Sequence, residues 1–200
     1  MKIVNIDLKT KLQELISSYE DDLRKWEDGY YFVEKVDAVC FGGGFGDADS
    51  WDFLLRDNAE YIRSYIKSGG TYLGICMGAY WAGQTYFDIL DNVDVVQYIK
   101  QPGTCTRRPH AKNMPIIWDD YGEQNMFFYD GPTFVGKGQY DTISTYRNSG
   151  MPMAIIQNNI GLIGCHPEAT EYWYDNYSWM KRKFKSKHNL LLEFVDEVVN

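Results

Sequence analysis

Gly69-Gly70-Thr71-Tyr72-Leu73-Gly74-Ile75-Cys76-Met77-Gly78-Ala79-Tyr80-Trp81-Ala82-Gly83 decides how the chain is read. Thr71 to Ile75 is a short apolar, β-favouring run, and the Ala/Tyr/Trp/Ala segment after Gly78 has helical character. The stretch therefore predicts a strand, a tight turn and a helix. Gly74 and Gly78 flank Cys76 as glycines flank serine in the G-x-S-x-G nucleophile elbow. Such a turn is sharp and strained, and a side chain beside the nucleophile would collide with neighbouring backbone. Cys76 is then placed at the first turn of the helix, where unpaired N–H groups and the positive end of the helix dipole favour thiolate. The alternative is a buried structural cysteine.

The 200 residues suit a single domain, 1–200, with a full core. With 44% hydrophobic and 16% aromatic residues and no low-complexity tract, disorder is excluded. A formal net charge of −8 argues against a general nucleic-acid partner, because phosphate contacts need a basic surface. The basic run at residues 181–188 reads as a solvated helix face, with a nucleic-acid or localisation patch as the alternative. Cysteines 40, 76, 105 and 165 form no C-x-x-C pair, so neither a zinc ribbon nor a thioredoxin-type motif is expected, and no metal or cofactor is assigned. Cys40 and Cys165 lie in apolar runs and read as inert core thiols. No stretch approaches 18 apolar residues, so no membrane span and a reduced, cytoplasmic setting are expected.

Outward from the elbow, residues 2–6 and 36–41 read as strands, 12–26 as a helix, 30–33 as a further strand and 58–67 as a helix. Residues 93–99 read as a strand and 101–112 as a loop, in which Arg107 and Arg108 could receive an anionic group. Short β-like runs follow at 116–118, 126–129 and 142–146, with turn chemistry at Asp130-Gly131-Pro132. Residues 154–157 and 161–165, parted by Asn158-Asn159, predict a hairpin. The Tyr- and Trp-rich segment at 172–179 precedes a helix at 190–199.

Gly42-Gly43-Gly44-Phe45-Gly46 fits neither a dinucleotide fingerprint nor a P-loop. Glycine instead lets backbone N–H groups face a neighbouring site, so Gly43 or Gly44 is assigned, with Met77, to an oxyanion hole. A plain turn is the alternative. His166-Pro167-Glu168 closes the last apolar run. Residues i and i+2 of an extended segment project to the same side, and Pro167 drives His166 into an extended conformation. His166 can thus serve Cys76 as base, with Glu168 holding the imidazole.

Gly74-Ile75-Cys76-Met77-Gly78 with His166-Pro167-Glu168 resembles the class I glutamine amidotransferase-like superfamily. That resemblance implies a flavodoxin-like, mostly parallel α/β sheet flanked by helices, with some additional antiparallel strands, and a Cys-His-Glu triad. The run from Gly69 through Ala82, with Phe41-Gly42-Gly43-Gly44, Pro102-Gly103-Thr104 and Phe128-Tyr129-Asp130-Gly131-Pro132-Thr133-Phe134, is similar to the N-terminal domain of biotin-protein ligases. True glutaminases of the superfamily carry a glutamine two residues after the second elbow glycine, and here that place is Tyr80. The Gly-Arg-Gly loop of the biotin-ligase catalytic domain does not occur in the sequence.

The leading expectation is a cysteine hydrolase or amidotransferase-like protein acting on a small-molecule or peptide amide. Cys76, His166 and Glu168 are the catalytic set; Gly43, Gly44 and Met77 form the oxyanion hole; Tyr80, Arg107 and Tyr129 shape the pocket. Two alternatives stay open, a silent regulatory binding module and a thiol redox sensor in which Cys105 or Cys165 resolves Cys76. A homo-oligomer is also left open.

Overall fold

A computed structural model describes residues 3–6, 38–43 and 56–200. The helix read at 12–26, the strand at 30–33 and Gly44 lie outside the described residues. The strands are β1 (Ile3–Ile6), β2 (Ala38–Phe41), β3 (Thr71–Ile75), β4 (Val93–Gln97), β5 (Lys112–Trp118), β6 (Gly122–Phe128), β7 (Pro132–Gly136), β8 (Asp141–Tyr146), β9 (Pro152–Gln157) and β10 (Ile160–Ile163). The helices are α1 (Ala59–Lys67), α2 (Met77–Trp81), α3 (Glu171–Asp175) and α4 (His188–Val199).

All five residues of β3 are buried, as a strand covered on both faces requires, which is why its run is continuously apolar rather than alternating. It pairs in parallel with β2 on one side and β10 on the other, and β1 adds in parallel beyond β2. The order β1-β2-β3-β10-β9-β8-β5-β6 continues with antiparallel pairs, so the sheet has a parallel half and an antiparallel half. The antiparallel half follows from short connections. Asn158, at φ 54, turns β9 directly into β10, whereas a parallel neighbour needs a long crossover. The remaining strands, β4 and β7, form a separate antiparallel pair.

Helices cover both faces. On one, Leu190, Phe194 and Val198 of α4 join a core with Leu73, Trp118 and Ile163. On the other, Ala59 of α1 with Ala79 and Trp81 of α2 pack with Phe41, Tyr72 and Phe87. No helix among the described residues is long and apolar enough to cross a membrane.

Three expectations shift. The strand read at 93–99 stops at Gln97, opposite Pro132; one further ladder bond runs from the Tyr98 N–H to Gly131 O at 3.3 Å, and Tyr98–Lys100 then forms a 3-10 turn. There the buried Tyr98 ring stacks on Tyr146 at 3.7 Å. Pro132 itself opens β7 instead of completing a turn, and the first residue of a strand is a position that tolerates proline. Finally, residues 181–187 lie ahead of α4 and are not helical, so the basic run is an irregular segment and not a helix face.

Candidate active site

Three chain segments meet at the carboxyl ends of adjacent parallel strands, where open α/β sheets bind ligands. Phe41 pairs with Gly74, and Ile163 with Ile75, so β2, β3 and β10 end nearly level. Gly43, Cys76 and His166 follow these ends. The Cys76 N–H donates to Ile163 O at 2.8 Å, extending the ladder by one bond into the turn. Cys76 then takes φ 51 and ψ −100, a strained conformation for a residue with a Cβ, and α2 begins at Met77.

The flanking glycines are required by contact. A Cβ on Gly74 would stand 2.6 Å from Gly78 O, and one on Gly78 would stand 2.0 Å from Phe41 O. Tyr72 fixes the turn further, donating its hydroxyl to Gly78 O at 2.6 Å. The Cys76 thiol points to Tyr129 O at 3.7 Å, and Tyr80 donates its hydroxyl to Asp130 O at 3.0 Å. The β6–β7 connection is therefore tied to the elbow by two contacts. Its Gly131 packs so closely on Gly164 that a Cβ would lie 1.7 Å from the Gly164 carbonyl oxygen.

His166 is 5% exposed and Cys76 8%. The His166 imidazole shares a proton between Nδ1 and Glu168 Oε1 at 2.7 Å, and the His166 backbone N–H donates to Phe127 O at 2.8 Å. That last bond is part of an isolated antiparallel bridge between Phe127 and His166, which brings β6, the far strand of the sheet, to the elbow. Gly43 lies on the other side of the ring, where a Cβ would meet His166 Cε1 at 2.4 Å. Burial opposes charge on His166. The neighbouring Cys76 and Glu168, as charges and hydrogen-bond partners, outweigh it and raise the imidazole to about 10.

A raised pKa of this kind stabilises the fold while the unfolded chain is also protonated. The contribution is complete below the ordinary histidine value of about 6.5 and is lost as pH rises through the folded value. Unfolding free energy measured in urea is expected to fall between about pH 6.5 and about pH 10, more steeply than in a His166→Asn variant. Equal slopes in the two proteins would place the proton elsewhere.

Among the pocket residues read from the sequence, Tyr80 and Tyr129 are brought to Cys76, whereas Arg107 is not. Arg107 is exposed, and its guanidinium donates to Ile99 O and Gln101 O, bracing its own loop. Burial, followed by the charges of Cys76 and Asp130, pushes the Tyr80 phenol up, so it acts as a donor. Of the other thiols, burial and the Glu168 charge raise Cys40 to about 12, burial also raises Cys165, and Cys105 is exposed.

Three neighbours of the site are not among the residues assigned to it from the sequence. Asp130, at φ 55, accepts from Gln97 at 2.6 Å and sits behind Tyr80. The rings of Phe127 and Trp173 stand edge-on to His166 at 5.8 and 5.1 Å. The aromatic segment thus has a place: Trp173, Tyr174 and Tyr177 close around Phe127 beside the imidazole, while Tyr172 stays exposed. No periodic signal marks these residues, because each reaches the site through tertiary packing and not through a helix or strand repeat.

A family model described as "Biotin-protein ligase, N terminal" matches residues 32–99, the segment that holds β2, α1, the elbow and β4. Among solved structures, the chain is similar to a glutamine amidotransferase at 16% identity and TM-score 0.57, over 84% of this chain and 91% of that one. A glutamine amidotransferase from Thermotoga maritima matches at 16% identity and TM-score 0.51, over 98% and 90%. A putative GMP synthase component from Thermoplasma acidophilum matches at 14% identity and TM-score 0.53, over 84% and 85%. No curated protein matches the chain. The fold is that of solved glutamine amidotransferases, and a match to the biotin-protein ligase N-terminal family covers residues 32–99, which include the elbow.

Proposed function

We propose that this protein is a cysteine-dependent hydrolase or acyl transferase acting on a small amide or related acyl substrate. The observation that carries the reading is Cys76 held at positive φ on a strand-to-helix turn, level with His166 and Glu168 on the adjacent strand end. Cys76 Sγ attacks the carbonyl carbon, and the C–N bond breaks as His166 gives its proton to the departing amine. The acyl group stays on sulfur as a thioester. His166 then takes a proton from water, whose oxygen bonds to the acyl carbon as the C–S bond breaks, releasing the acid and leaving Cys76 as the thiolate beside the protonated imidazole, the form in which it attacked. Met77 and Gly43 N–H groups take the developing oxyanion, with Gly44 as the alternative donor from the same loop. Glu168 orients the imidazole and offsets its charge.

A second reading, a binding module without turnover, is favoured by Tyr80. It occupies the place of the substrate-holding glutamine, with its hydroxyl already committed to Asp130 O. Alkylation by iodoacetamide, followed at each cysteine by peptide mass spectrometry, separates the two. Cys76 is expected to react about ten-fold faster than the exposed Cys105 near pH 7, with Cys40 and Cys165 slowest. Any amide turnover found by substrate screening should vanish in Cys76→Ala. A Cys76 slower than Cys105 would remove the nucleophile and leave the binding reading.

A further inference from the structure

We infer that the groove between residues 182–187 and the edge strand β6 binds a small oligophosphate, a ligand bearing two or more linked phosphate groups. The cavity has a volume of about 320 Å³ and is lined by Arg182, Lys183, Lys185 and Lys187, opposite the carboxamides of Asn113 and Asn125. Four cations thus share one concavity on a chain of formal net charge −8. None of the ion pairs found among the described residues involves them. Glu123, the acid on the groove wall, is taken by Arg147 at 2.9 Å. Like charges gathered without counter-charges repel, and a bound polyanion relieves that repulsion.

The groove is also anchored. Between Lys183 and Lys185, Phe184 packs against Tyr174 at 5.6 Å, and the Lys183 N–H donates to Met180 O at 3.0 Å. Lys187 Nζ donates to Gln124 Oε1 at 2.7 Å, and the Asn113 Oδ1 accepts from Tyr174 at 3.3 Å. That engagement leaves the Asn113 amide N–H groups as donors. Ammonium, guanidinium and carboxamide donors, with Glu123 as the one carboxylate among the lining residues, suit a ligand rich in acceptors, which is phosphate chemistry. The volume lies at the small end of ligand sites, about 300–1,000 Å³, which suits a diphosphate or triphosphate group. A nucleic-acid strand needs a basic surface longer than this groove, which a chain of formal net charge −8 does not favour. This inference does not rest on the Cys76 reading.

Calorimetric titration of the full chain with sodium tripolyphosphate at about 0.15 M salt tests it. Binding is expected, and Lys183→Glu with Lys185→Glu should weaken it at least about ten-fold. The charge-matched pair Arg108→Glu with Lys137→Glu, on exposed residues outside the groove, should change it less than about three-fold. A nucleoside triphosphate binding within about three-fold of tripolyphosphate would show that phosphates alone carry recognition, and tighter binding would add a base contact at the same site. No binding to wild type, or an equal loss in both variant pairs, would overturn the proposal. So would a single-stranded oligonucleotide that binds more tightly and responds to the same pair.

Discussion

Gly78→Ala is expected to lower the unfolding free energy by more than about 3 kcal/mol, a loss read from the urea midpoint. The new methyl would stand 2.0 Å from Phe41 O and 2.7 Å from both Phe41 C and Cβ. Those atoms cannot yield. Phe41 is the last residue of β2, in register with Gly74, and its ring packs on Tyr72, Trp81 and Phe87 at 5.4, 5.7 and 5.6 Å. The only relief is for α2 to lift from the sheet, which would draw Trp81 and Ala79 out of the core and break the Tyr72 bond to Gly78 O. Gly42→Ala is the matched control, since a Cβ there meets nothing within 4 Å, and it should leave stability within about 0.5 kcal/mol of wild type. A Gly78→Ala protein as stable as that control would mean that α2 does not press on β2, and the steric account of the elbow would be lost.

The same residue explains what the sequence could and could not disclose. Gly74 and Gly78 are sequence neighbours of Cys76, so the close approach they permit is written in local spacing, and the strand, turn and helix follow from it. His166 and Glu168 were legible for a similar reason: Pro167 extends the chain between them, and the 2.7 Å contact spans two positions. The Phe127 bridge to His166 and the edge-on Trp173 join residues 39 and 7 positions apart, through tertiary packing that leaves no period in the chain. Arg107 shows a local bond that spacing does not disclose. Charge in a loop suggested a ligand contact, but backbone carbonyls of Ile99 and Gln101 compete for the same guanidinium and hold it. β7 was hidden because Asp130-Gly131-Pro132 is turn chemistry by composition, and only its pairing with β4 makes Pro132 a strand residue.

His166→Asn is expected to slow Cys76 alkylation near pH 7 by about 100-fold, and Glu168→Gln by about 10-fold. The unequal losses follow from where each group stands. Asparagine at 166 removes the imidazole at the elbow, and with it the positive charge that His166 keeps beside Cys76 up to about pH 10. Glutamine at 168 keeps an oxygen able to accept from Nδ1 and so preserves ring orientation, but it removes the carboxylate charge that favours the imidazolium. The pH profile distinguishes positioning from simple loss of structure. In Glu168→Gln the alkaline limb of Cys76 reactivity should move to lower pH, because the imidazole gives up its proton sooner, while the exposed Cys105 keeps its wild-type profile as an internal reference. A destabilised protein would instead expose Cys165 and accelerate its labelling, since burial is what holds that thiol protonated. If Cys76 reacts at the wild-type rate in both variants, the elbow alone sets its reactivity, and His166 and Glu168 are scaffold.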